Sequence, residues 1–320
     1  MHPDLGVECK IDFGKQWDEA PHRSGWPYAV EALRSLHVDG GVKLVGFMER
    51  RFVWGEDLPA AGAIKSPWIG FLHNPPTAPE WFNQDRATPS DLLAGKAWRK
   101  SRRHCRGIFT LSNYLRDWLA PRVDPPVHSL LHPTETPEVR FSMDAYRENT
   151  DRALVQIGWW LRNFASLARL PVSTLSKTRL DLDAPFAERS RAEDLRRAGL
   201  PRELPDVRAL GFLDNDAYDE LLSKNLVFLH LYDNSATNTI VECMVRGTPC
   251  LVNRLPAVEE YLGPDYPFYF DTLEEAAEKA ESMDAVQSAH RYLIEWPLSK
   301  QLSAAHFRDA FVRSSIYQSL

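Results

Sequence analysis

The chain has 320 residues, of which 44% are apolar, 26% charged and 11% aromatic, and its formal net charge is -6. That length suits two domains of roughly 150 residues each, and that apolar content excludes a disordered chain. No apolar run reaches the ~18 residues of a membrane-spanning helix, and the acidic balance argues against a general nucleic-acid binder while leaving room for a local basic patch.

Met1-His2-Pro3-Asp4 has neither the basic nor the apolar region of a secretory signal, so none is expected. Cys9, Cys105, Cys243 and Cys250 show no CxxC spacing. Neither a zinc site nor a disulfide framework is indicated, and a reducing cytoplasm is the expected compartment.

In chain order, a strand is expected at 7–13, followed by His22-Arg23-Ser24-Gly25-Trp26-Pro27 and a helix over 27–37. Strands at 43–49 and 67–73, a helix over 90–104, a strand at 107–112, a helix over 113–119 and a strand at 127–132 complete the first half. Pro133 to Pro137 and the polar Arg147 to Thr150 mark a break, which divides the chain into 1–145 and 146–300. Strands follow at 153–159, 178–183, 207–212, 226–232, 249–253 and 266–270, with helices over 216–223, 239–246, 256–262 and 272–281. The last segment, 301–320, has helical apolar spacing at Leu302, Phe307, Ala310, Phe311 and Ile316. It reads as a helix packed on a domain already built. Continuous apolar strands alternating with helices imply α/β domains with parallel sheets covered on both faces. Ligands of such sheets bind at the carboxyl ends of the strands, so a cleft between two such domains is the expected site.

Residues 226–262 carry the most chemistry. A buried strand ends at Asp233, and the polar loop Asn234-Ser235-Ala236-Thr237-Asn238 leads into a helix beginning near Thr239. Thr237 or Asn238 can cap it, and Gly247 followed by Pro249 ends it. Backbone N–H groups at such a helix start suit a phosphate. Glu242, one turn in, could accept two hydrogen bonds from a ribose diol. The same pattern also suits a solvated glutamate and plain helix caps.

This block resembles the nucleotide-sugar site of GT-B glycosyltransferases, in particular the family-4-like retaining group with its E-A-x-x-x-G-x-P-V context. The matching residues here are Glu242-Cys243-Met244-Val245-Arg246-Gly247-Thr248-Pro249-Cys250. Leu255-Pro256-Ala257-Val258-Glu259-Glu260 resembles the turn that follows. The resemblance implies two Rossmann-like parallel-sheet domains facing a cleft, with the C-terminal helix crossing back to the N-terminal domain. It implies a retaining transfer of sugar from a nucleotide-sugar donor, without a bound metal or other cofactor. Glu242 would hold the ribose, with Asn234, Ser235, Thr237, Asn238 and Thr239 around the nucleotide and phosphates. The group often has a glutamate eight positions before Glu242; Asn234 stands there.

On the same resemblance, Arg162 in Gly158-Trp159-Trp160-Leu161-Arg162-Asn163 would pair with the donor diphosphate, Gly25 and Ser24 would lie over the phosphates, and His73 would touch the donor sugar or acceptor. Ser112 reads first as a helix cap. An inverting enzyme would need a base, for which Asp18, Glu19 and His22 are candidates; His73, His22 and Glu19 form the expected catalytic set. Lys96, Arg99, Lys100 and Arg103 share one face of the densest basic run. That face is either ordinary solvated surface or a dock for an anionic acceptor: a lipid-linked or surface glycan, a membrane surface in peripheral contact, or nucleic acid. A catalytically degenerate binding subunit and a sugar-nucleotide epimerase of the same fold remain the competing functions.

Overall fold

The computed structural model describes residues 8–14, 23–54, 63–82, 88–180, 182 and 184–320. Two compact units emerge, Met1–Glu135 with Gln301–Leu320 and Thr136–Lys300. The first ends at Glu135 rather than near 145. Phe141 N donates to Arg246 O at 3.1 Å and Ser142 N to Ser223 O at 2.9 Å, which ties that stretch to the second unit.

The first unit is built on β1 (Ile11–Asp12), β2 (Val42–Val45), β3 (Trp68–Leu72), β4 (Cys105–Thr110) and β5 (Val127–Ser129). They pair side by side in chain order and every pairing is parallel. β3 is apolar and buried throughout, as a central strand covered on both faces must be. The strand expected to 49 stops at Val45, and the chain turns into a wide π-helical turn, Arg50–Trp54. The helix expected over 90–104 is broken at Gly95, whose extended backbone (ψ 142°) ends Pro89–Ala94 and caps Lys96–Ser101.

The C-terminal segment closes this unit with Ala304–Arg313 and Ser315–Ser319. The Phe311 ring lies 4.8 Å from Phe109 and 6.2 Å from Phe71. Ile316 occupies the space where a Cβ on Gly107 would fall, 2.5 Å from its Cγ2. Helical spacing of apolar residues thus becomes a helix packed on the unit's own sheet.

The second unit holds β6 (Ala153–Ile157), β7 (Ser176–Leu180), β8 (Val207–Leu210), β9 (Leu226–Leu229), β10 (Cys250–Asn253) and β11 (Tyr269–Phe270). Their lateral order is β11-β10-β9-β6-β7-β8, all parallel. This is the doubly wound order, and it reverses between β6 and β9, where sheets of this kind open a crevice beyond the carboxyl ends of their strands.

Helices Met143–Glu148, Phe164–Arg169, Pro185–Arg197 and Met283–Glu295 also form, where the sequence reading placed none. Pro185–Arg197 is mostly charged, with only Ala187 and Leu195 as buried apolar residues. Its same-helix pairs Arg191–Glu188, Arg196–Glu193 and Arg197–Glu193 stand in for an apolar stripe. Among the described residues no helix is long and apolar enough to cross a membrane.

Candidate functional site

At the reversal point of the second unit, the loops after β6 and β9 are joined by backbone bonds. Asn163 N donates to His230 O at 2.8 Å and Tyr232 N to Leu161 O at 3.0 Å. Asn253, at the end of β10, completes the edge: its Oδ1 accepts from Leu231 N at 2.8 Å and its Nδ2 donates to Leu231 O at 3.0 Å. The first loop is conformationally strained. Gly158 has φ +82°, which glycine tolerates, but Leu161 has φ +55°, a region that branched side chains avoid.

Arg162 is drawn inward by this loop and is only 8% exposed. Its Nε donates to Ile157 O at 2.9 Å and Nη1 to Trp160 O at 3.0 Å, while Nη2 has no hydrogen-bond partner among the described residues. Among the described residues no carboxylate pairs with it. Burial lowers its pKa to about 10, so the group stays cationic at neutral pH. A buried cation held by carbonyl dipoles retains much of its desolvation cost, so an anion placed beside it would be bound strongly.

The loop after β9 brings the remaining second-unit candidates to the same edge. Asn234, Ser235, Thr237 and Thr239 are buried and Asn238 is exposed. Thr237 is the N-cap residue of the Asn238–Arg246 helix, but its side chain makes no cap bond. Its hydroxyl instead donates to Asn234 Oδ1 at 2.5 Å. That bond sets the orientation of the Asn234 amide, and Nδ2 is left as a buried donor with no partner among the described residues.

Glu242 lies deeper than the mouth of this site. It is 1% exposed, and Tyr218 Oη donates to its Oε2 at 2.5 Å. Burial and the neighbouring carboxylate push the Tyr218 phenol well above its usual pKa, so it stays a donor. One turn on, Arg246 is fully buried and pairs with Asp219 at 2.5 Å. Tyr218 and Asp219 share the Asn215–Ser223 helix, which therefore braces the Glu242 helix from the side. Sequence reasoning missed Tyr218, since nothing local marks it.

In the first unit the parallel strands bring their carboxyl ends to one edge, and His73 follows β3 there. Its Nε2 sits 2.9 Å from Gly46 O, which fixes the proton on Nε2 and makes Nδ1 the acceptor. The ring stacks on Phe47 at 3.9 Å and meets Trp26 edge-on at 4.5 Å. Burial, with His132 and Arg50 nearby, lowers its pKa to about 3, so it is a neutral hydrogen-bonding group and not an acid at neutral pH. Trp26 opens the Trp26–Leu33 helix, whose N-cap is Gly25, so this contact brings the Ser24–Gly25 loop to His73. Ser24 is fully buried. Gly25 has an ordinary φ of -66°, so its backbone there does not require glycine. Ser112 caps Asn113–Leu119 by accepting from Leu115 N. Asp18, Glu19 and His22 lie outside the described residues.

Glu49, which sequence reasoning placed inside a strand, is fully buried at the same edge and accepts from His73 N at 2.8 Å and Asn74 N at 2.6 Å. An acidic residue at the end of an apolar run was the available signal. Lys96, Arg99, Lys100 and Arg103 are all exposed. Among the described residues no His, Cys, Asp and Glu cluster could hold a metal ion.

No protein-family model matches the chain, and no curated protein matches it. Among solved structures it is similar to an Escherichia coli trehalose-6-phosphate structure bound with UDP-2-fluoro glucose, at 13% identity and TM-score 0.57, covering 91% of this chain and 77% of that one. An α,α-trehalose-phosphate synthase (UDP-forming) from Burkholderia vietnamiensis matches at 12% identity and TM-score 0.54, over 92% and 76%. Anabaena HepE in complex with UDP-glucose matches at 13% identity and TM-score 0.55, over 79% and 72%. The fold is that of GT-B glycosyltransferases, with two all-parallel α/β sheets.

Proposed function

We propose that the protein is a glycosyltransferase that takes its sugar from a nucleoside diphosphate donor, with UDP-glucose the first candidate because similar structures hold UDP and UDP-sugars. The observation that carries this reading is Arg162: a buried guanidinium with no carboxylate partner among the described residues, on a strained loop at the reversal point of a doubly wound sheet. A diphosphate supplies the missing anion. As the glycosidic bond breaks, negative charge grows on the departing diphosphate, and Arg162 with the N-terminal dipole of the Asn238–Arg246 helix would stabilise it there. The unpartnered Asn234 Nδ2 is a donor that a sugar or phosphate oxygen satisfies.

The finer assignments rest on resemblance and chemistry. Glu242 holds the ribose, Gly25 and Ser24 flank the phosphates, His73 accepts from a sugar hydroxyl through Nδ1, and transfer proceeds with retention and without a metal. The exposed Lys96, Arg99, Lys100 and Arg103 suit an anionic acceptor.

Calorimetry tests the core of this reading. Wild type should bind UDP more tightly than uridine. Arg162→Gln should weaken UDP by about tenfold or more, the worth of a charge-assisted hydrogen bond, and leave uridine unaffected. Equal weakening of both ligands, or no binding of any nucleoside diphosphate sugar by wild type, sinks the reading. Mass spectrometry after incubation with the donor separates transfer or hydrolysis from epimerisation and from binding without turnover.

A further inference from the structure

The end of β3 is held in an unusual way. Two successive backbone amides, those of His73 and Asn74, donate to one oxygen of a single side chain, Glu49 Oε1. Glu49 is 0% exposed, and its other oxygen, Oε2, is buried without a hydrogen-bond partner among the described residues. The residue stands at the entry to the wide Arg50–Trp54 turn, an irregularity that re-aims side chains and recurs at functional sites.

A buried carboxyl with one oxygen unmatched is costly. If the segment served only to tie β2 to β3, an apolar contact would do so without that cost; a buried acceptor is needed to hold the two amides. What the clamp fixes is the backbone that carries His73. The imidazole is held from three further sides, by Gly46 O on Nε2, the Phe47 face and the Trp26 edge. Gly46 and Phe47 belong to the same β2-to-turn segment as Glu49. One short stretch, 46–49, therefore sets both the ring and the backbone of His73.

We propose that Glu49 is a positioning residue for His73: its Oε1 clamp on the His73 and Asn74 amides keeps the imidazole in one orientation and one tautomer, with Nδ1 as the acceptor offered to substrate. The kinetic part of this inference rests on the sugar-transfer reading above; the part that concerns the ring does not.

The test uses the full chain labelled with 15N-histidine, as wild type, Glu49→Gln and Glu49→Ala. Wild type should show His73 as a single neutral tautomer protonated on Nε2. Glu49→Gln, whose carbonyl oxygen can still accept both amides, should keep that signature. Glu49→Ala should shift or split it. With a UDP-sugar turned over, Glu49→Ala should lower kcat roughly tenfold to a hundredfold, as misplacement of a site group does, with donor KM changed less than about twofold. Glu49→Gln should recover most of that loss. Unchanged His73 signals in a folded Glu49→Ala protein overturn the inference, as does a Glu49→Gln protein as damaged as Glu49→Ala. Should Glu49→Ala fail to fold, Glu49→Asp replaces it: the carboxyl withdrawn by one methylene must disturb the ring signals, and wild-type signals there overturn the inference equally. If no donor is turned over, the ring signals still decide.

Discussion

Glu49 and Glu242 are both buried carboxyls at strand-end sites, yet their surroundings call for different tests. Glu49 has its pKa raised to about 7, above all by burial, while the amides of Asn74 and His73 pull the other way. Unfolded, the same carboxyl ionises near 4.5. Wild type should therefore lose stability as the pH rises from about 4.5 to 7, on the order of 3 kcal/mol at full effect, and no more above that. Glu49→Gln removes this slope; chemical denaturation at pH 4.5, 6 and 8 measures it, and identical slopes in both proteins would contradict the burial argument. Glu242 is bonded to Tyr218 instead. Glu242→Ala should cost about 1–3 kcal/mol of stability through that lost bond and also weaken UDP binding. Tyr218→Phe should reproduce the stability loss but leave UDP affinity close to wild type. If both substitutions affect binding equally, Glu242 acts through packing and not by touching the ribose.

At the level of elements, the tight seat between β4 and the final helix is the most exposed to perturbation. Gly107 leaves no room for a Cβ, since Ile316 contributes Cγ2 at 2.5 Å and Cδ1 and Cγ1 at 2.7 Å. Ile316 is itself fully buried, so it has little freedom to withdraw. Gly107→Ala should therefore destabilise by about 1–3 kcal/mol, the usual cost of overpacking. Pairing it with Ile316→Val should restore part of the loss, and a neutral Gly107→Ala in thermal melts would show that the Ser315–Ser319 helix simply moves aside. The Asn238–Arg246 helix illustrates the opposite case. Its stop at Gly247, φ +70°, was legible because only a residue tolerant of the left-handed region ends a helix that way.

For the whole molecule, the segment 301–320 belongs to the unit formed by the N-terminal residues. It buries Leu302, Phe307, Phe311, Ile316 and Tyr317, each at 1% exposure or less. A fully buried apolar side chain contributes about 1.5–3 kcal/mol, and a typical domain has only about 5–15 kcal/mol in all. Removing 301–320 should therefore unfold the first unit outright. Scanning calorimetry of a chain ending at Lys300 should lose one transition or its cooperativity; a melt indistinguishable from wild type would refute the accounting.

What the sequence determined by itself was local. Apolar runs and their breakers marked every strand of both sheets within a few residues, because an unbroken run of buried side chains is a property of the segment alone. The parallel arrangement followed from alternation with helices. His73 and Glu242 stood out by place, at the end of a predicted strand and one turn into a predicted helix, whereas their roles and that of Arg162 came from the family resemblance. Only the tertiary structure decided what lies between distant segments. The reversal between β6 and β9 depends on strand order, which no local pattern encodes. Arg162 turns back onto its own loop carbonyls because the backbone at Gly158 and Leu161 folds it there. The pairs Glu49–His73 and Tyr218–Glu242 each join residues 24 positions apart. Such contacts arise when packing brings two segments together and buries polar groups that must then find partners, and composition and periodicity carry no record of which partner that will be.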